Sequence, residues 1–152
     1  LGANYKNWSL SMLWQGAARV WQYTFMEAGI IGNFTKDFYD NRWTEDNPNA
    51  KYPRTYNRDA TVTGGGNYRN SFCLNNASYL RLKSIELAYN CPKSWFKGTP
   101  ISGVRLCLTG YNLLTFTGIK NIDPETQENS QGWAAWNTPQ SKVYNFGINI
   151  TF

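Results

Sequence analysis

From Tyr144 to Phe152 the chain alternates without a break. Tyr144, Phe146, Ile148, Ile150 and Phe152 are apolar, and the residues between them, Asn145, Gly147, Asn149 and Thr151, are small or polar. A helix cannot use that period, because neighbours on one helical face recur every three or four residues. A strand can, because successive side chains point to opposite faces. Such a strand needs an apolar layer on one side and a wetter one on the other. An outer-membrane β-barrel supplies both, with apolar side chains toward lipid, polar ones toward the lumen and aromatics at the rim. A soluble β-sandwich supplies them too, with its core on the apolar side. These nine residues fit either.

Composition narrows the class. Charged residues are 16% of the chain, against roughly 25% in an average soluble protein. Seven Trp, ten Tyr and eight Phe accompany them. That balance suits a β protein with much surface outside bulk water. There is no run of 18 apolar residues and hence no transmembrane helix, but a barrel shows none, because every second residue faces its lumen. The opening Leu-Gly-Ala-Asn-Tyr-Lys has neither the basic nor the apolar region of a signal peptide. The expectation is the tail of a longer polypeptide. The net charge is +5, but no two basic residues are adjacent. Nucleic acid is therefore not an expected partner, whereas a modest positive charge on loops suits an anionic lipopolysaccharide surface. Cys73, Cys91 and Cys107, with no His in the chain, match neither a zinc spacing nor a disulfide framework. Cys107 lies in an apolar strand pattern and reads as a small core or wall residue.

Four long strands are expected, at about 8–25, 79–90, 104–116 and 142–152. Trp8, Leu10, Met12 and Trp14 share one face of the first, with Leu13 the exception. Its apolar parity changes after Gly16, to Trp21, Tyr23 and Phe25, which marks a bulge or an exit from the apolar layer. Tyr5-Lys6-Asn7 reads as a short turn. Residues 31–77 carry turn signals at Asn47-Pro48, Tyr52-Pro53 and Gly64-Gly65-Gly66, with a short helix near Thr35–Trp43. In the second strand Ile85, Leu87 and Tyr89 share a face, but Arg81 and Lys83 fall on the same parity. In the third, Val104, Leu106 and Leu108 oppose Arg105, Cys107 and Thr109. A further loop covers about 118–140. The connections run long, short, long, as in bacterial barrels with long extracellular loops and short periplasmic turns. Four strands cannot close a membrane barrel, which needs about eight or more, and open sheet edges are not tolerated in lipid. The fold class expected is therefore all-β: the last four antiparallel strands of a large outer-membrane β-barrel with long extracellular loops.

The block Asn76-Ala77-Ser78-Tyr79-Leu80-Arg81-Leu82-Lys83-Ser84-Ile85-Glu86-Leu87-Ala88-Tyr89 resembles a characteristic segment of SusC/RagA-type TonB-dependent transporters. Further blocks resemble that family in order and spacing: Arg42-Trp43-Thr44 with Tyr52-Pro53-Arg54, Gly110-Tyr111-Asn112-Leu113-Leu114-Thr115-Phe116, Asp123-Pro124-Glu125 and the terminal alternating strand. Cys91 stands where the family usually has Phe. The resemblance covers nearly the whole chain. It implies an outer-membrane importer of glycan or peptide oligomers in a Bacteroidota-type bacterium, with a barrel of about 22 strands and a plugged lumen. It implies a SusD-like surface lipoprotein as lid, and TonB acting through a plug region absent from these residues. The C-terminus is expected on the periplasmic side. The alternative is a secreted soluble β-sandwich that binds carbohydrate through aromatic residues.

Within that reading, Tyr144, Phe146, Ile148, Ile150 and Phe152 form the C-terminal assembly signal that the barrel-assembly machinery reads by edge pairing. Tyr39, Trp43, Tyr52, Arg54, Tyr68, Trp133 and Trp136 are the candidates for contact with ligand or lid, since aromatic faces offer large area at low entropy cost. Packing within their own loops is the plainer role for any one of them. Asp123 and Glu125 are too few for calcium, and Pro124 between them indicates a turn. Gly64-Gly65-Gly66 lacks the spacing of a phosphate loop. No catalytic constellation, metal site or cofactor is expected, and hence no enzyme.

Overall fold

The computed structural model describes residues 1–23, 34–54, 71–120, 122–126 and 138–152. It divides into two compact units: Leu1–Gly16 with Leu80–Phe116 and Gln140–Phe152, and Ala17–Tyr79 with Thr117–Pro139.

The first unit is a sheet. Its strands are β1 (Gly2–Tyr5), β2 (Trp8–Ala17), β5 (Tyr79–Asn90), β6 (Gly103–Thr117) and β7 (Val143–Thr151), in the spatial order β1-β2-β5-β6-β7. β1 and β2 form an antiparallel hairpin with Tyr5 opposite Trp8. Its two-residue turn is Lys6-Asn7, and Lys6 takes the left-handed region at φ 51°. The expected turn is thus shorter by one residue, since Tyr5 closes β1. β1 itself was not expected, because four residues are too few to establish a period. The Asn90 N–H donates to the Asn7 carbonyl at 2.9 Å, and the Cys91 N–H to the Val104 carbonyl at 2.9 Å. The end of β5 therefore meets the starts of β2 and β6. β6 and β7 pair antiparallel from Gly103↔Thr151 to Tyr111↔Val143. β6 contains Asn112 at φ 53°, a left-handed residue inside a strand. Its side-chain amide donates to the Ser141 carbonyl at 3.2 Å. Such a residue bends the strand locally.

The strand expected over 8–25 is broken. β2 ends at Ala17, and a separate short strand, β3 (Trp21–Tyr23), pairs with β4 (Leu74–Asn76) in a second sheet. Arg19 at φ 58° turns the chain between them. The parity change after Gly16 records this exit, and residues 24–25 lie outside the described residues.

The second unit gathers around Tyr23, Phe38, Tyr52 and Cys73, all buried, with Phe34 packed against them. Phe38 belongs to α1 (Lys36–Asp40), which lies inside the expected helical stretch. Thr35 caps it, its hydroxyl accepting from the Phe38 N–H at 3.4 Å, and Asn41 ends it by donating to the Asp37 carbonyl. The helix is one turn and a half. Its persistence therefore depends on ring packing, Phe38 against Phe34 at 5.1 Å and against Tyr52 at 5.4 Å between centroids. A parallel bridge pairs Arg42 with Tyr52.

One close approach in the sheet yields a test. A Cβ on Gly147 would lie 2.7 Å from the Cys107 sulfur on the facing strand. Gly147→Ala is expected to cost about 1 kcal/mol of barrel stability, because the thiol must swing away from the Gly147 carbonyl. Cys107→Ala in the same chain should recover most of that. Urea unfolding of the full-length protein refolded into vesicles reads the coupling, and strictly additive costs would contradict the contact.

Candidate functional site

Two surfaces carry chemistry. The first is the apolar face of the sheet. β7 places Tyr144, Phe146, Ile148 and Ile150 on one side, each at least half exposed, and Phe152 follows them. The register sets Val104 beside Ile150, Leu106 beside Ile148 and Leu108 beside Phe146. Leu87 and Tyr89 of β5 and Trp8 of β2 extend the same face, forming with Leu106, Leu108 and Phe146 a shallow groove of about 190 Å³. Monomeric water-soluble proteins rarely leave so large a contiguous apolar surface open.

Aromatic rings gather at one end of that face. Trp8 and Tyr89 are 4.7 Å apart between centroids, and Tyr89 and Trp95 6.4 Å, beside the Lys6-Asn7 turn. Toward the other end of the sheet, Trp14 of β2 stacks near Phe116 of β6 at 6.5 Å. Trp8 and Trp14 are six residues apart on one strand, hence about 20 Å. An outer-membrane barrel wall has an apolar band of about 25 Å between aromatic girdles.

The opposite face is polar. Arg105 and Glu86 pair at 2.9 Å across β6 and β5, both about 40% exposed. A pair that open to solvent contributes at most about 1 kcal/mol. Asn149, Gly147 and Asn145 face Arg105, Cys107 and Thr109. Arg81 and Lys83, which interrupt the apolar parity of β5, each have a polar partner. Arg81 is buried and its Nε donates to the Thr115 hydroxyl at 2.9 Å. Lys83 donates to the Gln140 side chain at 3.0 Å.

The second surface lies in the helical unit. A cleft of about 290 Å³ is lined by Thr35, Asp37, Lys51, Tyr52, Phe72 and Lys120, among others. A donor chain runs along one wall: Lys51 donates to the Tyr52 hydroxyl at 2.6 Å, and that hydroxyl to Asp37 Oδ2 at 2.7 Å. The Tyr52 hydroxyl bond holds the Asp37 carboxyl below its ordinary range, with Lys51 and Lys120 adding positive charge. Burial pushes the Tyr52 phenol up. The bond to Tyr52 pushes Lys51 up.

The aromatics expected to meet ligand or lid are placed differently from one another. Tyr52 is 8% exposed; its ring belongs to the core and its hydroxyl to the cleft. Tyr39 is open, with the Arg42 guanidinium 3.9 Å from its ring centroid. Trp43 and Arg54 line one shallow groove with Ala50, Pro53 and Phe72. Tyr68, Trp133 and Trp136 lie outside the described residues. Sequence reasoning missed Asp37, Lys51 and Lys120. Asp37 follows the helix-capping Thr35 by two positions, which sets its carboxylate beside the Tyr52 hydroxyl. Asp123 accepts from the Glu125 N–H at 3.0 Å, so this pair forms the expected turn.

The Asp37–Tyr52 bond makes loop stability depend on pH. Asp37 titrates lower in the folded unit than in an unfolded one. Its contribution is therefore complete above the unfolded carboxylate value and is lost as pH falls through the folded one. Tyr52→Phe should weaken the unit by about 1–2 kcal/mol at pH 7, and should flatten its acid sensitivity. Hydrogen exchange of the amides around Phe38 in the full-length protein measures both. Equal acid sensitivity in the variant would contradict the assignment.

No protein-family model matches the chain. It is 31% identical, over 97% of its length, to TonB-dependent receptor P3 of Formosa agariphila. It is 30% identical, over 98%, to TonB-dependent receptor P26 of the same organism. It spans 15% and 16% of those relatives. Among solved structures, the RagAB peptide transporter superposes with a TM-score of 0.69 at 32% identity, over 99% of this chain and 16% of that one. The RagAB peptide importer in its open-open state gives 0.70 at 34% identity, with the same coverage. Antiparallel wall strands, blocks of matching sequence along almost the whole chain and the small share of each relative agree: the chain belongs to the SusC/RagA-type TonB-dependent transporters and corresponds to a C-terminal segment of their barrel.

Proposed function

We propose that this segment forms bilayer-facing wall of an outer-membrane, TonB-dependent importer of peptide or glycan oligomers. The observation that carries the proposal is the two-faced sheet. β2, β5, β6 and β7 are 10, 12, 15 and 9 residues long, and a tilted strand crosses a bilayer in about 9–11. One face is apolar and open, with aromatic rings at its tight-turn end, and the other is polar. The soluble sandwich requires a second sheet over that apolar face. The kinship with TonB-dependent receptors and RagAB favours lipid there instead.

The finer assignments rest on kinship and topology. The tight connections at Lys6-Asn7 and 91–102 lie on the periplasmic side, and so does the end of β7, whose Thr151 carbonyl accepts from the Ser102 N–H. The segments joining β2 to β5 and β6 to β7 are extracellular loops that meet substrate or a SusD-like lipoprotein lid. TonB acts on another part of the polypeptide. Tyr144, Phe146, Ile148, Ile150 and Phe152 present the strand that the barrel-assembly machinery reads. The role is transport, not enzymatic catalysis.

Two variants of the full transporter test the wall. Ile148→Arg puts a charge on the apolar face and should cost about 2–4 kcal/mol near mid-bilayer, so outer-membrane abundance falls severalfold. Asn145→Arg, on the polar face, should leave it within about twofold. Equal loss from both, or recovery of the native polypeptide from the soluble fraction, overturns the wall. Deletion of Phe152 should slow assembly into heat-modifiable barrel, and unchanged assembly removes its role as a signal.

A further inference from the structure

The sheet unit is electrostatically one-sided. Residues 1–16, 80–116 and 140–152 carry seven basic side chains, Lys6, Arg81, Lys83, Lys93, Lys97, Arg105 and Lys142, and one acidic side chain, Glu86. Glu86 is paired with Arg105. Three of the lysines, Lys6, Lys93 and Lys97, lie on the two tight connections, and all three are exposed. None is paired with a carboxylate among the described residues. The Asn90-to-Asn7 bond joins the two connections. Lys6 neighbours Asn7, and Lys93 follows Asn90 by three residues.

The same edge carries Tyr5, Trp8, Tyr89 and Trp95. Tyr5, Trp8 and Trp95 are largely open, and Lys6 sits 5.4 Å from the Tyr5 ring centroid. The apolar groove of Trp8, Leu87, Tyr89, Leu106, Leu108 and Phe146 opens beside these rings. Lys6 also holds a left-handed backbone, φ 51°, in a position that Gly or Asn would occupy at lower cost.

From this juxtaposition we infer that the tight-turn edge of the sheet is a docking site for an anionic phospholipid. Lys6, Lys93 and Lys97 take the phosphate headgroup, Trp8 and Trp95 sit at headgroup depth, and one acyl chain lies in the apolar groove. The inference rests on the reading of this sheet as bilayer wall. Charge complementarity selects the occupant: cationic side chains near a membrane surface favour anionic lipid by about fivefold each, and this edge offers no carboxylate side chain to oppose them. Aromatic rings at the same level fix the depth of the headgroup.

The test uses the full transporter in bilayers with equal phosphatidylglycerol and phosphatidylcholine, released for native mass spectrometry. Retained lipid should be enriched in phosphatidylglycerol. The variant K6Q/K93Q/K97Q should lose about tenfold or more of that enrichment, with heat-modifiability unchanged. Lys142→Gln, at the opposite end of the sheet, should keep it. Should the triple variant fail to fold, K6Q and K93Q alone must each lower the enrichment. Equal retention of the two lipids, an unaltered triple variant or an equal loss in K142Q overturns the site. Insertion without lipid preference overturns the site alone, whereas failure to insert in either lipid overturns the wall and the site together.

Discussion

The pairing of β6 with β7 is the constraint on which the wall depends. Nine residue pairs run from Gly103↔Thr151 to Tyr111↔Val143. Because side chains alternate, a slip of one residue would transfer all of β7 to the other face. Phe146, Ile148 and Ile150 would then meet Arg105 and Cys107, and three asparagine and glycine positions would face the apolar side. The observed register keeps the two faces distinct from Val104↔Ile150 to Thr109↔Asn145. It also places Gly147 against Cys107, where there is no room for a second side chain. The apolar face and the contact on the polar face therefore specify the same alignment independently, which is how a long strand with repetitive composition avoids slippage.

What the sequence revealed follows from this physics. Where a strand is long and its two faces have different surroundings, period two is visible, and the expected extents of β5, β6 and β7 agree with the structure to within a residue. Where an element is short, or its ends are set by tertiary turns, period says little. β1 has four residues and takes its place from hydrogen bonds to β2. The break between β2 and β3 depends on Arg19 adopting a left-handed backbone, which residue type does not announce. The parity change after Gly16 was legible, but not which of its two meanings applied.

The helical unit was less legible for a related reason. Its core is four buried residues drawn from four distant stretches, Tyr23, Phe38, Tyr52 and Cys73, and no local pattern joins them. Tyr52 shows the consequence. An aromatic in a loop-like stretch with Pro beside it suggests a surface contact. Yet the ring fills the core against Phe38, and only its hydroxyl reaches the cleft. A Tyr with its ring buried and its hydroxyl bonded to Asp37 is an amphipathic pin. It locks one cleft wall while leaving Lys51 and Lys120 at the rim. Tyr39 and Trp43, by contrast, keep open faces. The residues that shape this surface and those free to touch another molecule are thus different members of one aromatic set.

The low charge of the chain also acquires a cause. A sheet with lipid on one side can place charge on the other face, at its ends, or on side chains that meet a polar partner. Arg105 and Glu86 use the first option, Lys6, Lys93, Lys97 and Lys142 the second, and Arg81 and Lys83 the third. That exhausts the charged side chains of the sheet unit. The exposed Arg105–Glu86 pair adds little stability, so the polar face contributes mainly by being wettable. Cohesion comes from the ladder of backbone hydrogen bonds, whose net value rises where no water competes. The nearly uniform positive sign of the remaining charges is not required by that cohesion. Neutral polar residues at the turns would close the same ladder. The lysines at the tight-turn edge therefore reflect what lies against that edge rather than what holds the sheet together.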